Sequence, residues 1–284
     1  MRRSLLFIPA NSPAMLQNAD VFASDSVIFD LEDAVVLSEK DAALSLVNEY
    51  LKKFEFDNLE IIIRINGLDT LLSKNELDTI VNDKIDTVML PKATYETTLQ
   101  LSKMLEKIEK QKKLTKKIGI IPIIELAKSV IEVNQIASVR GVTGLLLGGE
   151  DLATDLEVER TEQGLEILLS RSMVVLAAKA NQIDAIDTPY TQTQNDEGLL
   201  KDTLFAKSLG MSAKVCIHPN QIETINQVFS PNEDEIAYAE KILNAVSQNM
   251  NNHKGAFSVD GKMIDKPIIE RAQKLLEKAK KWKL

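Results

Sequence analysis

Three carboxylate side chains lie within four positions of one another in the segment IFDLEDAV, at positions 28–35. Asp30, Glu32 and Asp33 follow directly after an apolar stretch that predicts a buried strand. Carboxylates this close repel one another unless a cation or a paired Arg or Lys side chain compensates their charge. The segment therefore suggests a site that holds a cation or a basic partner.

A second pair of carboxylates is separated by 26 residues, at Glu125 and Asp151, and each follows an apolar run. Carboxylate oxygens are ligands of Mg²⁺, which usually keeps water or substrate in its other coordination positions. The spacing suggests that Glu125 and Asp151 share one magnesium ion. The alternative is that both carboxylates are hydrogen-bonded to neighbouring amides and bind no metal.

Cysteine and histidine are too rare for the common soft-metal sites. The chain contains one cysteine, Cys216, and two histidines, His218 and His253. This composition excludes a thiolate zinc cluster and an intramolecular disulfide framework. Any bound metal ion must therefore be held mainly by oxygen ligands. We interpret His218 as a structural residue rather than a general base, because the adjacent Pro219 indicates a rigid turn.

Eight short apolar runs alternate with longer segments that have helical periodicity, and their first residues lie 22 to 40 positions apart. Each interval is long enough for a strand, a crossover helix and two loops. The runs begin at Ser4, Ser26, Ile61, Thr87, Gly119, Gly144, Asp184 and Ala213.

This alternation predicts an α/β fold, a (β/α)₈ TIM barrel, because nearly continuous apolar strands need cover on both faces. A doubly wound open sheet is the alternative fold. The segment IPANSPAM after the first run contains no glycine, however, so it lacks the glycine-rich loop typical of dinucleotide-binding sheets. Polar residues follow the runs at Asp30, Glu32, Asp33, Arg64, Asn66, Lys92, Glu125, Glu150, Asp151, Asp187, His218 and Asn220. In a barrel these strand ends form the catalytic face.

Composition places the chain among ordinary globular proteins, with 44% hydrophobic and 27% charged residues in 284 positions. No apolar run approaches the roughly 18–20 residues that span a bilayer, and the apolar stretch near the amino terminus is too short for a signal peptide. We therefore expect a cytoplasmic protein with no membrane partner. The net charge of −8 argues against a nucleic-acid partner.

We predict that residues 1–229 form the barrel and that residues 230–284 form a helical extension or lid within the same domain. Ser12-Pro13 and Ser230-Pro231 each resemble a helix start, with a capping residue before a proline. The segment NNHKGAFSVDGKMIDKP is expected to connect two helices of the extension.

Eight segments together resemble the family that contains the citrate lyase beta subunit and related acyl-CoA lyases, within the aldolase and citrate lyase superfamily. The segments are RRSLLFIPANSPAM, SVIFDLEDAV, IIIRING, VMLPKA, IPIIE, LLLGGEDLATDL, IHPNQI and DGKMIDKP. They occur in this order over nearly the whole chain. The resemblance implies a magnesium-dependent barrel enzyme that cleaves a 3-hydroxy acyl thioester by a reverse Claisen reaction.

The resemblance also implies residue roles. Glu125 and Asp151 correspond to the metal ligands of the family, and Arg64 to its catalytic, substrate-binding arginine. Glu125 is expected to touch the substrate as well. Asp265 corresponds to an acid or base that reaches a neighbouring subunit's active site, which implies a homo-oligomer. A supporting role around Arg64 and the metal is expected of Asp30, Glu32, Asp33 and Lys92.

Three functions follow from this resemblance. The leading hypothesis is a citryl thioester lyase that releases oxaloacetate and an acetyl thioester, with the substrate on coenzyme A or on an acyl carrier protein in a citrate lyase complex. The second is a stand-alone lyase for malyl-CoA or citramalyl-CoA. The third is a non-catalytic barrel subunit of an assembly. The presence of all four residues with these implied roles, Arg64, Glu125, Asp151 and Asp265, argues against the third.

Overall fold

Eight parallel strands form a closed barrel in the order in which they occur along the chain. The computed structural model describes residues 1–56, 58–249 and 257–283, without the side chains of residues 249 and 257. The strands are β1 (Ser4–Pro9), β2 (Ser26–Asp30), β3 (Glu60–Arg64), β4 (Thr87–Leu90), β5 (Gly119–Ile124), β6 (Gly144–Leu147), β7 (Asp184–Asp187) and β8 (Ala213–Cys216). Strand β8 pairs with β1 and closes the barrel. The predicted (β/α)₈ barrel is confirmed.

Helices follow the strands of the barrel. They are α1 (Pro13–Gln17), α2 (Lys40–Lys53), α3 (Leu72–Ile80), α4 (Tyr95–Lys112), α5 (Ala127–Ile131), α6 (Val133–Ala137), α7 (Gly149–Asp155), α8 (Leu168–Ala180), α9 (Asp196–Leu209) and α10 (Ile222–Phe229). Short 3₁₀ turns occur at Leu37–Glu39, Leu165–Ile167 and Pro219–Gln221. Among the described residues, no helix is both long enough and apolar enough to cross a membrane.

The interior of the barrel is a packed apolar layer to which every strand contributes. Its buried side chains are those of Leu5, Ile28, Ile62, Met89, Ile121, Ile123, Leu146, Ile186, Ala213 and Val215. Because helices cover the outer face of the strands, both faces are apolar, and this explains the unbroken hydrophobic runs in the sequence. The packed layer leaves the carboxyl-terminal ends of the strands to carry the polar side chains.

Arg2 forms ion pairs at the amino-terminal end of the barrel. The Nε and Nη2 atoms of Arg2 each donate to the Glu60 carboxylate over 2.6 Å, and Nη1 donates to Asp184 over 2.9 Å. Glu60 also accepts hydrogen bonds from Ser26 and Thr87. Arg2 therefore connects the starts of β3 and β7.

The chain divides into two compact units, Met1–Asn226 and Gln227–Leu284. The second unit contains α11 (Glu233–Asn249), the antiparallel strands β9 (Phe257–Val259) and β10 (Lys262–Ile264), and α12 (Lys266–Trp282). Its core consists of Ala239, Ile242, Val259, Ile264 and Ala272. The two strands lie where the sequence suggested only a connection between helices.

Of the two predicted helix starts, one is correct. Helix α1 begins at Pro13 with Ser12 as its N-cap, as predicted. The start at Ser230-Pro231 is wrong, because α11 begins at Glu233. Asn232 caps it instead: its Oδ1 accepts from the Glu235 amide over 2.8 Å, and its own amide donates to the Glu235 carboxylate over 2.9 Å. This reciprocal pair of bonds is a capping box, which satisfies two backbone N–H groups at the helix start.

The ion pairs at the base of the barrel lead to a stability prediction. Arg2→Met leaves the Glu60 and Asp184 carboxylates without their guanidinium partner in a largely buried place, so we expect the free energy of unfolding to fall by about 3–5 kcal/mol. Urea denaturation followed by circular dichroism measures the change. As a control, Lys110→Met removes an exposed pair with Glu106 and should change stability by less than about 0.5 kcal/mol. Equal stability of the two variants would contradict this role of Arg2.

Candidate active site

A cavity of about 450 Å³ opens at the carboxyl-terminal ends of the strands. Apolar side chains in its lining include those of Phe7, Ile123 and Leu146, and the residues that follow β6 also line it. The charged side chains in its lining are Asp30, Asp33, Arg64, Glu125, Glu150 and Asp151. This is the face on which barrel enzymes carry their active sites.

Arg64 and Asp30 form the most closely bonded ion pair of the cavity. They are the last residues of β3 and β2 and lie opposite each other in the sheet register. Arg64 Nε donates to Asp30 Oδ1 over 2.7 Å, and Nη2 donates to Oδ2 over 2.6 Å. Asp30 also accepts the amides of Glu32 and Ala34. This two-pronged contact fixes the plane of the guanidinium group.

The rest of the DLED segment surrounds the remaining nitrogen of the guanidinium group. Arg64 Nη1 lies 3.0 Å from Glu32 Oε2 and 3.8 Å from Asp33 Oδ2. Lys40 Nζ fixes the loop by donating to the carbonyl oxygens of Leu31 and Glu32 over 2.7 and 2.6 Å. Asp30, Glu32 and Asp33 therefore all lie around Arg64.

The guanidinium group of Arg64 and the carboxyl group of Glu32 both have shifted pKa values. Burial alone would lower the pKa of Arg64, but the hydrogen bonds and charge of Asp30, with the charges of Glu32 and Asp33, raise it above its ordinary value. Burial raises the pKa of Glu32 to about 7, although the Arg64 charge opposes the shift. Arg64 thus stays charged, while Glu32 is poorly compensated.

Glu125 follows β5 and is buried, with 3% of its surface exposed. One carboxylate oxygen accepts the backbone N–H of Lys92, a residue in the left-handed region at φ 45°. On the other side lies Gly148, where an added Cβ would come within 2.6 Å of Glu125 Oε2. Only glycine allows the carboxylate this close to the loop after β6. The Lys92 contact comes from its backbone, and its side chain is exposed.

Asp151 lies in the first turn of α7, is exposed, and faces the same cavity. Burial raises the pKa of Glu125 to about 8, a shift that the Lys92 amide opposes and the charges of Asp151 and Glu32 increase. No group of three or more His, Cys, Asp or Glu side chains in the described residues is arranged to hold a metal ion. Mg²⁺ does not need such a group, because one or two carboxylates commonly hold it, with water or substrate as its other ligands. Glu125 and Asp151 together provide two carboxylates.

Asp265, the remaining predicted site residue, belongs to the second unit. It is the N-cap of α12, where its Oδ1 accepts the amide of Ile268 over 3.3 Å. A catalytic role for Asp265 stays a prediction, as do the metal and substrate roles of Glu125, Asp151 and Arg64.

Other polar residues at strand ends have structural partners. Asn66 is buried and bonded to Glu76 and to the Leu31 carbonyl. His218 and Asn220 are bonded to each other over 2.7 Å. Asp187 is fully buried, with Arg171 and Lys214 as partners.

Sequence reasoning missed Thr188 and Lys214. Thr188 lines the cavity and accepts the amide of Gly149 over 3.0 Å. Lys214 lies inside the apolar strand AKVC and is fully buried. A lysine in the middle of a buried strand is itself a signal, because it needs carboxylate partners there.

Comparison with known proteins places the chain among lyases of one family. The beta subunits of citrate lyase from Leuconostoc mesenteroides subsp. cremoris and Haemophilus influenzae are 36% and 37% identical to it, over 98% and 99% of this chain and 93% and 97% of theirs. The mitochondrial citramalyl-CoA lyase of Rattus norvegicus is 28% identical over 97% of this chain and 85% of its own.

Solved structures agree with the sequence comparison. CitE from Mycobacterium tuberculosis, in complex with magnesium, acetoacetate and coenzyme A, matches with a TM-score of 0.79 and 28% identity over 98% of both chains. A citrate lyase beta subunit from the same organism, complexed with oxaloacetate and magnesium, matches with a TM-score of 0.68 and 27% identity over 81% of this chain and 97% of that one. Residues 3–219 match the sequence profile of the HpcH/HpaI aldolase/citrate lyase family, and the chain therefore belongs to that family.

Proposed function

We propose that this protein is a magnesium-dependent carbon–carbon lyase that cleaves a citryl thioester into oxaloacetate and an acetyl thioester. One observation carries the proposal: two carboxylates, one of them buried, face a cavity whose described lining has a single cation, Arg64. The similar citrate lyase beta subunits and the related structure complexed with oxaloacetate and magnesium support the same activity.

The donor set of the cavity fits Mg²⁺. Glu125 and Asp151 would hold the ion, because both provide hard oxygen ligands and the Asp151 carboxylate accepts no hydrogen bond from the described part of the chain. A positive charge there would also favour the ionised form of Glu125, whose pKa is otherwise raised to about 8. When bound, Mg²⁺ supplies stabilisation of negative charge on the hydroxyl and carboxylate oxygens of the substrate.

Arg64 is the residue that we expect to contact the reacting thioester. Cleavage transfers the proton of the 3-hydroxyl group to a base, for which we propose the Asp265 carboxylate of another subunit. The hydroxyl-bearing carbon becomes the carbonyl of oxaloacetate, and the electrons of the broken carbon–carbon bond remain on the thioester fragment as an enolate, to which the same carboxyl group can return the proton. Asp30 occupies the Nε and Nη2 edge of Arg64, and Glu32 Oε2 lies 3.0 Å from Nη1. Because Nη1 carries two hydrogens, one of them is still able to donate to a substrate oxygen that gains negative charge. A donor held in advance in this way is worth roughly 3–4 kcal/mol in a transition state.

The enolate must then receive a proton to give the acetyl thioester. We propose that Asp265 of another subunit supplies it, which makes the active enzyme a homo-oligomer with lids exchanged between subunits. The supporting observation is that Asp265 is the N-cap of α12 and follows a short hairpin, so its carboxylate is held at a defined helix start. A carboxyl group that closes over the site would also exclude water from the enolate.

The alternative substrates differ in one group. A citryl thioester carries a carboxymethyl group on its hydroxyl-bearing carbon, where citramalyl-CoA has a methyl group and malyl-CoA has a hydrogen atom. The similarity to a citramalyl-CoA lyase keeps these substrates as the second hypothesis. The thioester carrier, coenzyme A or an acyl carrier protein within a citrate lyase complex, and a cytoplasmic location also remain proposals.

A substrate panel tests the proposed function. The purified chain with Mg²⁺ is assayed on citryl-CoA, on citryl-loaded acyl carrier protein, on citramalyl-CoA and on malyl-CoA, and each oxo acid product is measured by reduction with NADH. We expect kcat/KM for the better citryl thioester to exceed that for citramalyl-CoA by at least about tenfold. The reverse order would favour the second hypothesis, and cleavage of none would favour a non-catalytic subunit.

Arg64→Lys is the sharpest variant in this panel, because lysine keeps the charge and loses the planar fork that Asp30 holds. We expect kcat to fall at least about 10²-fold with little change in thermal stability. Arg140→Lys, in an exposed pair with Glu106, is the matched control and should retain full turnover.

Stability of the metal-free protein should depend on pH through Glu125. Its pKa is raised from an ordinary value of 4.5 to about 8, so the folded chain binds this proton more tightly than the unfolded chain does. The resulting stabilisation is fully present below about pH 4.5 and is lost as the pH rises towards 8. When the pH is raised from about 5 to 8, the thermal midpoint of Glu125→Gln should therefore fall less than that of the wild type.

Thermal unfolding in EDTA measures this difference, and adding Mg²⁺ at about pH 8 should raise the midpoint of the wild type alone. Glu96→Gln, an exposed change in the first turn of α4, is the control and should follow the wild type. If the midpoints of the wild type and of Glu125→Gln change with pH in parallel, ionisation of Glu125 does not destabilise the folded protein and this prediction is wrong.

A mixing experiment tests the role of Asp265. Asp265→Asn keeps an N-cap for α12, because asparagine caps helices as well as aspartate does, but it removes the acid. Asp265→Asn and Glu125→Gln should each be inactive alone, and a mixture with confirmed subunit exchange should regain activity, since some sites then combine an intact barrel with an intact lid. Confirmed exchange without recovered activity would show that Asp265 does not act between subunits.

A further inference from the structure

Four charged side chains from β7, β8, α8 and α9 form a buried cluster. We call Arg171, Asp187, Asp202 and Lys214 the buried charge cluster. Lys214 Nζ donates to Asp187 and Asp202 over 2.6 Å each. Arg171 donates to Asp187 over 2.9 and 3.0 Å and to Asp202 over 2.7 Å. Two cations and two carboxylates therefore compensate one another away from water.

The cluster is connected to the cavity through Thr188. Lys214 Nζ gives a further hydrogen bond, over 2.7 Å, to the carbonyl oxygen of Thr188. Thr188 is fully buried and lies in the cavity wall, where its Oγ1 accepts the amide of Gly149 over 3.0 Å. An added Cβ at Gly149 would come within 2.8 Å of that hydroxyl oxygen. Helix α7 thus begins in direct contact with Thr188.

This contact bears on Asp151, which lies two residues beyond Gly149. The Asp151 side chain is exposed and has no hydrogen bond or ion pair within the described residues, so neighbouring side chains do not hold it in place. Its position therefore depends on where the first turn of α7 lies. The other end of α7 is held separately, since Asp155 accepts the amide of Ala127 over 2.7 Å.

We propose that Thr188, held by the buried charge cluster through Lys214, is a positioning residue that sets the place of Asp151 relative to Glu125. This inference rests on the proposed function, in which these two carboxylates hold Mg²⁺. A cluster of this kind is not needed for stability, because well-packed apolar side chains of similar volume often stabilise a core as well or better. An apolar side chain at position 214 could not, however, donate to the Thr188 carbonyl.

Thr188→Val removes the hydroxyl oxygen that accepts the Gly149 amide and keeps the shape of the side chain. Thr188→Ser keeps the oxygen and serves as the rescue variant. Binding is measured with Mn²⁺ as the probe, by electron paramagnetic resonance of the free ion, well below the thermal midpoint of every variant. We expect Thr188→Val to weaken Mn²⁺ binding about tenfold and Thr188→Ser to stay within about twofold of the wild type.

A matched control comes from the opposite end of the barrel. Thr87 is equally buried and donates to Glu60 over 2.9 Å, so Thr87→Val loses one hydrogen bond without touching the cavity. Thr87→Val should lower thermal stability and leave Mn²⁺ affinity unchanged. Lys214→Met is the second probe of the same connection; if it folds, it should weaken Mn²⁺ binding as well.

Hydrogen exchange separates the possible failures. In the metal-free protein, Thr188→Val should speed exchange of the amides at the start of α7, and Thr87→Val should not. Wild-type Mn²⁺ affinity in Thr188→Val would overturn the positioning role while leaving the proposed function intact. If the wild-type chain itself binds no Mn²⁺, the proposed function fails and this inference fails with it.

Discussion

The shortage of positive charge around the buried carboxylate of Glu125 is the constraint on which the rest of the site depends. The described lining of the cavity carries five carboxylates and one guanidinium group, and Asp30 already occupies two of the guanidinium nitrogens. Burial and the charge of Asp151 therefore leave the carboxyl of Glu125 with a pKa of about 8. We propose that a divalent cation relieves this repulsion and that an oxo acid chelates it there.

The barrel provides this arrangement by placing distant parts of the chain at one rim. Arg64 and Asp30 are 34 positions apart in sequence but share a register position on neighbouring strands. Glu125 fits between the Lys92 amide and Gly148, which follow β4 and β6. Arg64 is thus positioned by a carboxylate, and Glu125 by backbone, from neighbouring βα units, above the packed apolar layer of the barrel.

Much of the fold followed from the sequence, because continuous apolar runs at regular intervals have few other solutions: all eight strands begin within one residue of their predicted starts. The carboxylates at strand ends were also visible. The backbone contacts and buried ion pairs were not visible, because they depend on how one βα repeat packs against the next. Examples are the Lys92 amide, the close fit at Gly148 and the partners of Lys214. The capping box of Asn232 lay two residues beyond a more familiar Ser-Pro signal.

If a divalent cation held by carboxylates binds the oxo acid in this cavity, the affinity for oxaloacetate must depend on the metal. Calorimetric titration of the wild-type chain with oxaloacetate, once with Mg²⁺ and once with EDTA, measures this dependence. We expect binding that is at least about tenfold tighter with Mg²⁺, because the cavity is otherwise too negative to accept a dicarboxylate. Equal affinity in EDTA would show that Arg64 alone is sufficient for binding and that no cation is involved.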